Sequence, residues 1–212
     1  MKKTVITASI LSVLVLHGAA IAAPMSSELK VQGKMAAPSC QVSLDKGGVF
    51  DLGKLSNGLI DPNKATPLTG SMITITTDCD AKTYLSFSVE DNREGSSSSS
   101  GSTNFGLGNV NGNGKLGYYQ LKMRDGMVDG KLSSLYSTSK GSTSFSAVSS
   151  ITLDKNKVMG WAESTNAQNS GKRFFAAIEL NPVLASSKDM NGPITDSVKL
   201  DGSALLNFTY GL

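Results

Sequence analysis

The chain has 212 residues, of which 39% are hydrophobic, 6% aromatic and 17% charged, with 22 glycines, six prolines and two cysteines. This composition excludes a disordered chain, a collagen-like repeat and a dense disulfide scaffold, and the length suits one large domain with a substantial core. The formal net charge is only +3, and no cluster of Lys and Arg interleaved with aromatics supplies the footprint that nucleic-acid binding requires.

Lys2 and Lys3 precede an apolar run from Val5 to Leu16, followed by the small residues Gly18, Ala19 and Ala20. Residues 1–22 therefore read as a secretory signal peptide, with cleavage after Ala22 satisfying the small-x-small rule and Ala23 as the mature start. The alternative, an uncleaved anchor, has too short an apolar run for the ~20 residues that a membrane span needs. No other segment is long and apolar enough, so an integral membrane protein is not expected. Removing Lys2 and Lys3 from 20 bases leaves 18 against 17 acids, a mature net charge of +1. His17, the single histidine, leaves with the signal. The mature chain then has no imidazole for a Ser-His pair, a general base or a metal site.

Residues 23–39 carry Leu29, Val31, Gly33 and Met35 in alternation with Lys30, Gln32 and Lys34. That is a strand pattern in a terminal segment of a kind usually left disordered. It can pair with its own sheet or with that of another copy. Cys40 and Cys79 follow, 39 positions apart. An even count in an exported chain predicts one structural disulfide rather than a free thiol. Closing a loop of that size stabilises a fold by about 4 kcal/mol in the chain-entropy description.

From residue 40 onward the periodicity is two. Strands are predicted over Gln41–Leu44, Phe50–Leu55, Met72–Thr77, the alternating Leu85, Phe87 and Val89, Leu116–Met123, Phe145–Leu153, Val158–Ala162 and Phe174–Leu180, with a helical turn between Ser56 and Ala65. No window carries a sustained helical stripe, so α/β architectures lose support and an all-β sandwich is expected. Residues 91–104, with five consecutive serines, are expected to form a mobile surface loop. Polar stretches at Gly108–Gly114 and Ser137–Ser144 look like hairpin tips, and Asp125-Gly126 and Asp129-Gly130 like tight turns. The chain ends in its longest alternation: Val198, Leu200, Gly202, Ala204, Leu206, Phe208, Tyr210 and Leu212 on one face, with Leu205 alone on the wrong one.

Three of these features in this order resemble the pilins of the chaperone-usher pathway. They are the alternating extension with Gly33 seven positions before Cys40, Cys79 at the end of a Thr-rich strand, and an alternating C-terminal strand ending near Phe208 and Tyr210. The middle of the chain resembles only a less characterised group of fimbrial-like exported proteins. The resemblance implies an immunoglobulin-like antiparallel β-sandwich over residues 40–212, incomplete, and completed by a donor strand. Residues 23–39 would be that donor for a neighbour. Leu29, Val31 and Met35 would enter pockets, and Gly33 would lie where the groove is shallow. Ala204, Leu206, Phe208 and Tyr210 would line the acceptor groove and its chaperone-binding strand.

The implied partners are a periplasmic chaperone, an outer-membrane usher and other pilin subunits in a head-to-tail polymer. The implied location is the periplasm in transit and then a fimbrium at the cell surface, contributing to adhesion. Burying three apolar side chains at ~1.5 to 3 kcal/mol each supplies about 5 to 9 kcal/mol per junction. The family pattern is not met throughout: Tyr210 is third from the end rather than penultimate, and Gly202 lies nearer the terminus than the family's glycine.

Two other classes compete. A monomeric periplasmic or secreted binding protein, filling its own groove, would use Trp161, Tyr118 or Tyr119 to stack on a carbohydrate or grip a protein ligand; a lone Trp beside a strand is more often core. An enzyme would draw on Asp45, Asp51, Glu90, Asp91, Asp125 and Asp129, but nothing in the sequence pairs two of these carboxylates as glycoside hydrolysis needs. Calcium-loop spacing is also missing. The expectation is no catalysis, no cofactor and no metal.

Overall fold

The computed structural model describes residues 27–212. The expected signal peptide, residues 1–22, and residues 23–26 of the extension lie outside the described residues. The chain divides into two units at Ala36 and Ala37. In the first, residues 27–36 carry no regular secondary structure, and Leu29, Val31 and Met35 are fully exposed. The second, Ala37–Leu212, is an all-β antiparallel sandwich, curled on itself and consistent with the immunoglobulin-like class.

Eight strands of three or more residues build it: β1 (Cys40–Leu44), β2 (Ser71–Asp91), β3 (Gly117–Val128), β4 (Ser134–Ser139), β5 (Ser150–Thr152), β6 (Lys157–Ser164), β7 (Ser170–Leu184) and β8 (Ala204–Tyr210). One face runs β5-β3-β7-β2-β1 and the other β8-β2-β6-β4, so β2 belongs to both. Its first half pairs with β1 and β7, its second with β8 and β6. Between the halves, Asp78 to Thr83 stand opposite only Arg173 to Gly171 on β7. Extra residues on one side of a ladder bend the strand that carries them, and this bulge takes β2 from one face to the other.

The core lies between the faces because both halves of β2 alternate. Ile73, Ile75 and Thr77 are buried from the first half, and Leu85, Phe87 and Val89 from the second. Trp161 of β6 is packed against Phe87 and Phe174, with ring centroids 6.2 and 5.2 Å away. Its indole Nε1 donates to the Phe175 carbonyl at 2.8 Å, so the one polar atom of the buried ring is satisfied.

Several elements differ from the sequence expectation. Met72–Thr77 and the Leu85-Phe87-Val89 run are one continuous strand of 21 residues. Phe50–Leu55 forms no strand, and Phe145–Leu153 narrows to Ser150–Thr152 because Phe145 turns away to stack on Tyr136 at 4.2 Å. β4 was not foreseen. Asp125-Gly126 is not a turn: it sits within β3, with Asp125 at φ 56°, at a bulge opposite Phe175 and Ala177. A Cβ on Gly126 would come within 2.7 Å of the Leu135 side chain, so the glycine serves close packing. Asp129-Gly130, with φ of 49° and 77°, is the expected two-residue hairpin turn.

The serine-rich stretch is pinned rather than loose. Ser96 and Asn104 are buried. The Ser96 hydroxyl donates to the Arg93 carbonyl at 2.8 Å and accepts from the Gly108 amide at 3.1 Å. The Asp91 carboxylate accepts from the amides of Arg93 and Gly106 at 2.8 and 2.9 Å, and Lys155 ties in Glu94 at 2.9 Å. The C-terminal alternation forms a strand over seven residues instead of fifteen. Ala204 pairs with Asp91, the last residue of β2, so nothing remains for residues 198–203 to pair with in that ladder. They are fixed instead by the Asp201 amide on the Leu107 carbonyl at 3.0 Å and the Arg93–Asp201 ion pair at 2.7 Å.

Candidate functional site: an apolar groove between two open strand edges

β1 and β8 each pair with β2 alone among the described residues. Each therefore presents one edge of unpaired backbone donors and acceptors, which in a folded domain is normally covered. Between them runs a cavity of about 560 Å³. Leu200, Gly202, Ala204, Leu206 and Phe208 form one wall. Val42 and Leu44 of β1, with Val49, Phe50 and Leu52 just after it, form the other. The floor is core: Ile73, Leu121, Ile178, Leu180, Leu107 and Tyr119.

The local sequence explains each wall. In β8 the period of two turns Ala204, Leu206 and Phe208 toward the core cluster, where Phe208 lies 5.2 Å from Phe87. In β1, Val42 and Leu44 have the parity of Cys40, whose disulfide to Cys79 (S–S 2.03 Å) joins β1 to β2 at directly opposed residues. The bridge thus holds the β1 wall to the strand that also carries the β8 wall.

Of the predicted acceptor residues, the structure brings Ala204, Leu206 and Phe208 together. It does not place Tyr210 with them. Tyr210 is half exposed, and its hydroxyl donates to the Pro38 carbonyl at the start of the folded unit. The reason is position: β8 ends at Tyr210, beyond the groove. Leu205, on the opposite face as its parity requires, is also half exposed and contributes to the rim. The predicted donor residues Leu29, Val31, Gly33 and Met35 are in no strand; three exposed apolar side chains alternate along them with Lys30, Gln32 and Lys34.

Sequence reasoning missed the β1 wall, and it named Tyr119 only as a candidate for stacking on a ligand, not as part of the groove floor. Val42 and Leu44 were visible as alternation, but their face became legible only with the ladder to β2. Tyr119 is 4% exposed and stacks on Phe105 at 5.4 Å. Its ring edge lies so close to Gly202 that a Cβ there would be 2.7 Å from Cε1. Burial, with the Asp91 charge added, raises the Tyr119 phenol well above the usual tyrosine range; no hydrogen bond contributes.

Trp161 is core and cannot stack on a sugar face without unfolding the sandwich. Tyr118 is half-buried. Of the carboxylates named above, Asp125 pairs with Arg124 at 2.9 Å, Asp51 accepts the Gly53 amide at 2.8 Å, Asp91 holds the serine-rich loop, and Asp129 accepts the amides of Lys172 and Arg173. Among the described residues, no group of three or more His, Cys, Asp or Glu side chains is placed to hold a metal ion. No described helix is long and apolar enough to cross a membrane.

A family model described as a protein of unknown function, DUF1120, matches residues 29–112. The matched stretch takes in the alternating segment, both cysteines, β1, β2 and the serine-rich loop. A search of curated proteins finds no match.

Proposed function

We propose that this protein is an exported structural subunit that polymerises by strand donation, as the pilins of the chaperone-usher pathway do. One copy's groove accepts the alternating segment around Leu29, Val31, Gly33 and Met35 of the next. The observation that carries this reading is the apolar groove bounded by two unpaired strand edges, in a chain that also displays an exposed, alternating apolar segment.

A strand laid beside β8 satisfies orphaned backbone groups and covers Leu206 and Phe208 at once. Strand addition is head-to-tail, so a chain that carries both a donor segment and an acceptor groove generates an open fibre rather than a closed dimer. A free groove is an aggregation hazard during export, which calls for a chaperone to cover it and an outer-membrane usher to exchange that cover for the next subunit. The destination is a fimbrium at the cell surface, with a part in adhesion.

The test is thermal melting of protein beginning at Ser39, with and without a peptide spanning residues 26–37. The native peptide is expected to raise the melting temperature strongly, and a Gly33→Arg peptide is expected not to. No rise, with the truncated protein already stable, would sink strand donation in favour of a self-contained periplasmic binding domain.

A further inference from the structure

Two hydroxyl-bearing residues line the apolar groove, Ser203 and Tyr119, and the Ser203 hydroxyl already accepts from the Asn92 side-chain amide at 2.9 Å. The Tyr119 phenol is nearly buried, and the causes of its raised pKa include no hydrogen bond. A purely hydrocarbon occupant would shut that hydroxyl away from water with nothing to bond, at a cost to binding.

The fold indicates what reaches it. Every ladder between the named strands is antiparallel, and antiparallel pairing is the slightly more stable kind. A strand added antiparallel to β8 runs from the Tyr210 end toward the Ala204 end. Side chains on one face recur every second residue. In the register that sets Gly33 opposite Ala204, Leu29, Val31 and Met35 fall opposite Phe208, Leu206 and Gly202. Met35 arrives at Gly202, whose backbone packs directly on the Tyr119 ring edge, since a Cβ there would lie 2.7 Å from Cε1. In that row Leu, Val and Gly have no side-chain acceptor. The Met35 thioether has one, weak but soft, and sulfur packs favourably against aromatic rings such as the Phe105–Tyr119 stack.

We infer that Tyr119 is the specificity-determining residue of the groove, its hydroxyl donating a hydrogen bond to the thioether sulfur of the Met35 supplied by a second copy of this chain. This rests on the strand-donation reading above. The pairing fixes the register of the incoming strand at its C-terminal end and favours methionine there over an aliphatic side chain of equal size.

The experiment is a double-mutant cycle on the full exported chain, measuring the affinity of labelled peptides spanning residues 26–37 by fluorescence anisotropy. One peptide carries Met35 and the other norleucine, which replaces the sulfur by a methylene. The protein is wild type or Tyr119→Phe, which keeps the Phe105 stack and whose own melting curve reports its folding. Wild type is expected to prefer the methionine peptide about 5-fold, the scale of one modest hydrogen bond, and Tyr119→Phe is expected to bind both equally. Equal affinity of wild type for the two peptides, or the same preference in both proteins, would overturn the pairing while leaving strand donation intact. Failure of either peptide to bind wild type would overturn both.

Discussion

Single residues in this protein do their work mostly through backbone geometry and the groups it exposes. Asp129 shows this well. It opens the hairpin after β3 in the left-handed region at φ 49°, and its Oδ1 accepts the amides of Lys172 and Arg173, both at 2.9 Å. Those two bonds, Arg173 first, hold its carboxyl below the usual range. A carboxylate with a lowered folded pKa contributes stability above its ordinary pKa and loses it as pH falls through the folded one. Asp129→Asn keeps the turn and an acceptor but not the charge. It is expected to destabilise the fold at pH 7, by less than about 1 kcal/mol because the group is exposed and screened, with the gap to wild type closing as pH falls through the lowered pKa of the folded state. A gap that stays constant over that fall in a calorimetric pH series would show that the charge plays no part.

At the level of elements, the decisive object is β1. It is five residues long and pairs with one neighbour. Short edge strands of this kind are held weakly by hydrogen bonds alone, so the Cys40–Cys79 bridge carries much of its attachment. Replacing both cysteines by alanine is expected to destabilise the fold by about 4 kcal/mol. It is also expected to weaken peptide binding, because the Val42 and Leu44 wall loses its anchor. Denaturant titration and peptide affinity check the two effects separately. Unchanged affinity in a folded variant would mean that the ladder alone positions the wall.

The elements also mark how far a one-dimensional pattern reaches. β7 and both halves of β2 were legible because each alternates over buried positions such as Ile73, Phe87 and Ile178, and β6 was legible as a short apolar run, buried continuously from Met159 to Ala162. The walls of the groove were half legible: Leu206 and Phe208 declare themselves by parity, whereas Val49, Phe50 and Leu52 line it from irregular chain that no period describes. Tyr119 was invisible as a groove residue, since its role comes from the register of β3 and the bare Gly202 beside it. The five serines promised a loose loop because composition records polarity and not hydrogen bonding. Ser96, Asn104 and Asp91 bond inward, and that fixes the stretch.

For the whole molecule, the arrangement of β2 and the disulfide has a mechanical consequence. In a fibre, tension would enter each folded unit at Ala37 and leave through the strand lodged beside β8. Cys40 stands three positions after Ala37, and Cys79 lies on β2, which also pairs with β8 along Leu85–Asp91. The covalent load path therefore crosses one sulfur-sulfur bond and bypasses residues 41–78 entirely. That segment holds the β1 wall but bears no pull. Stretching single molecules between residue 37 and Leu212 is expected to release a contour about 130 Å shorter in the oxidised protein than in the reduced one, at roughly 3.4 Å per residue over the 39-residue span. A protein built this way lengthens little under load, and the tension runs through the strand against which the groove is built.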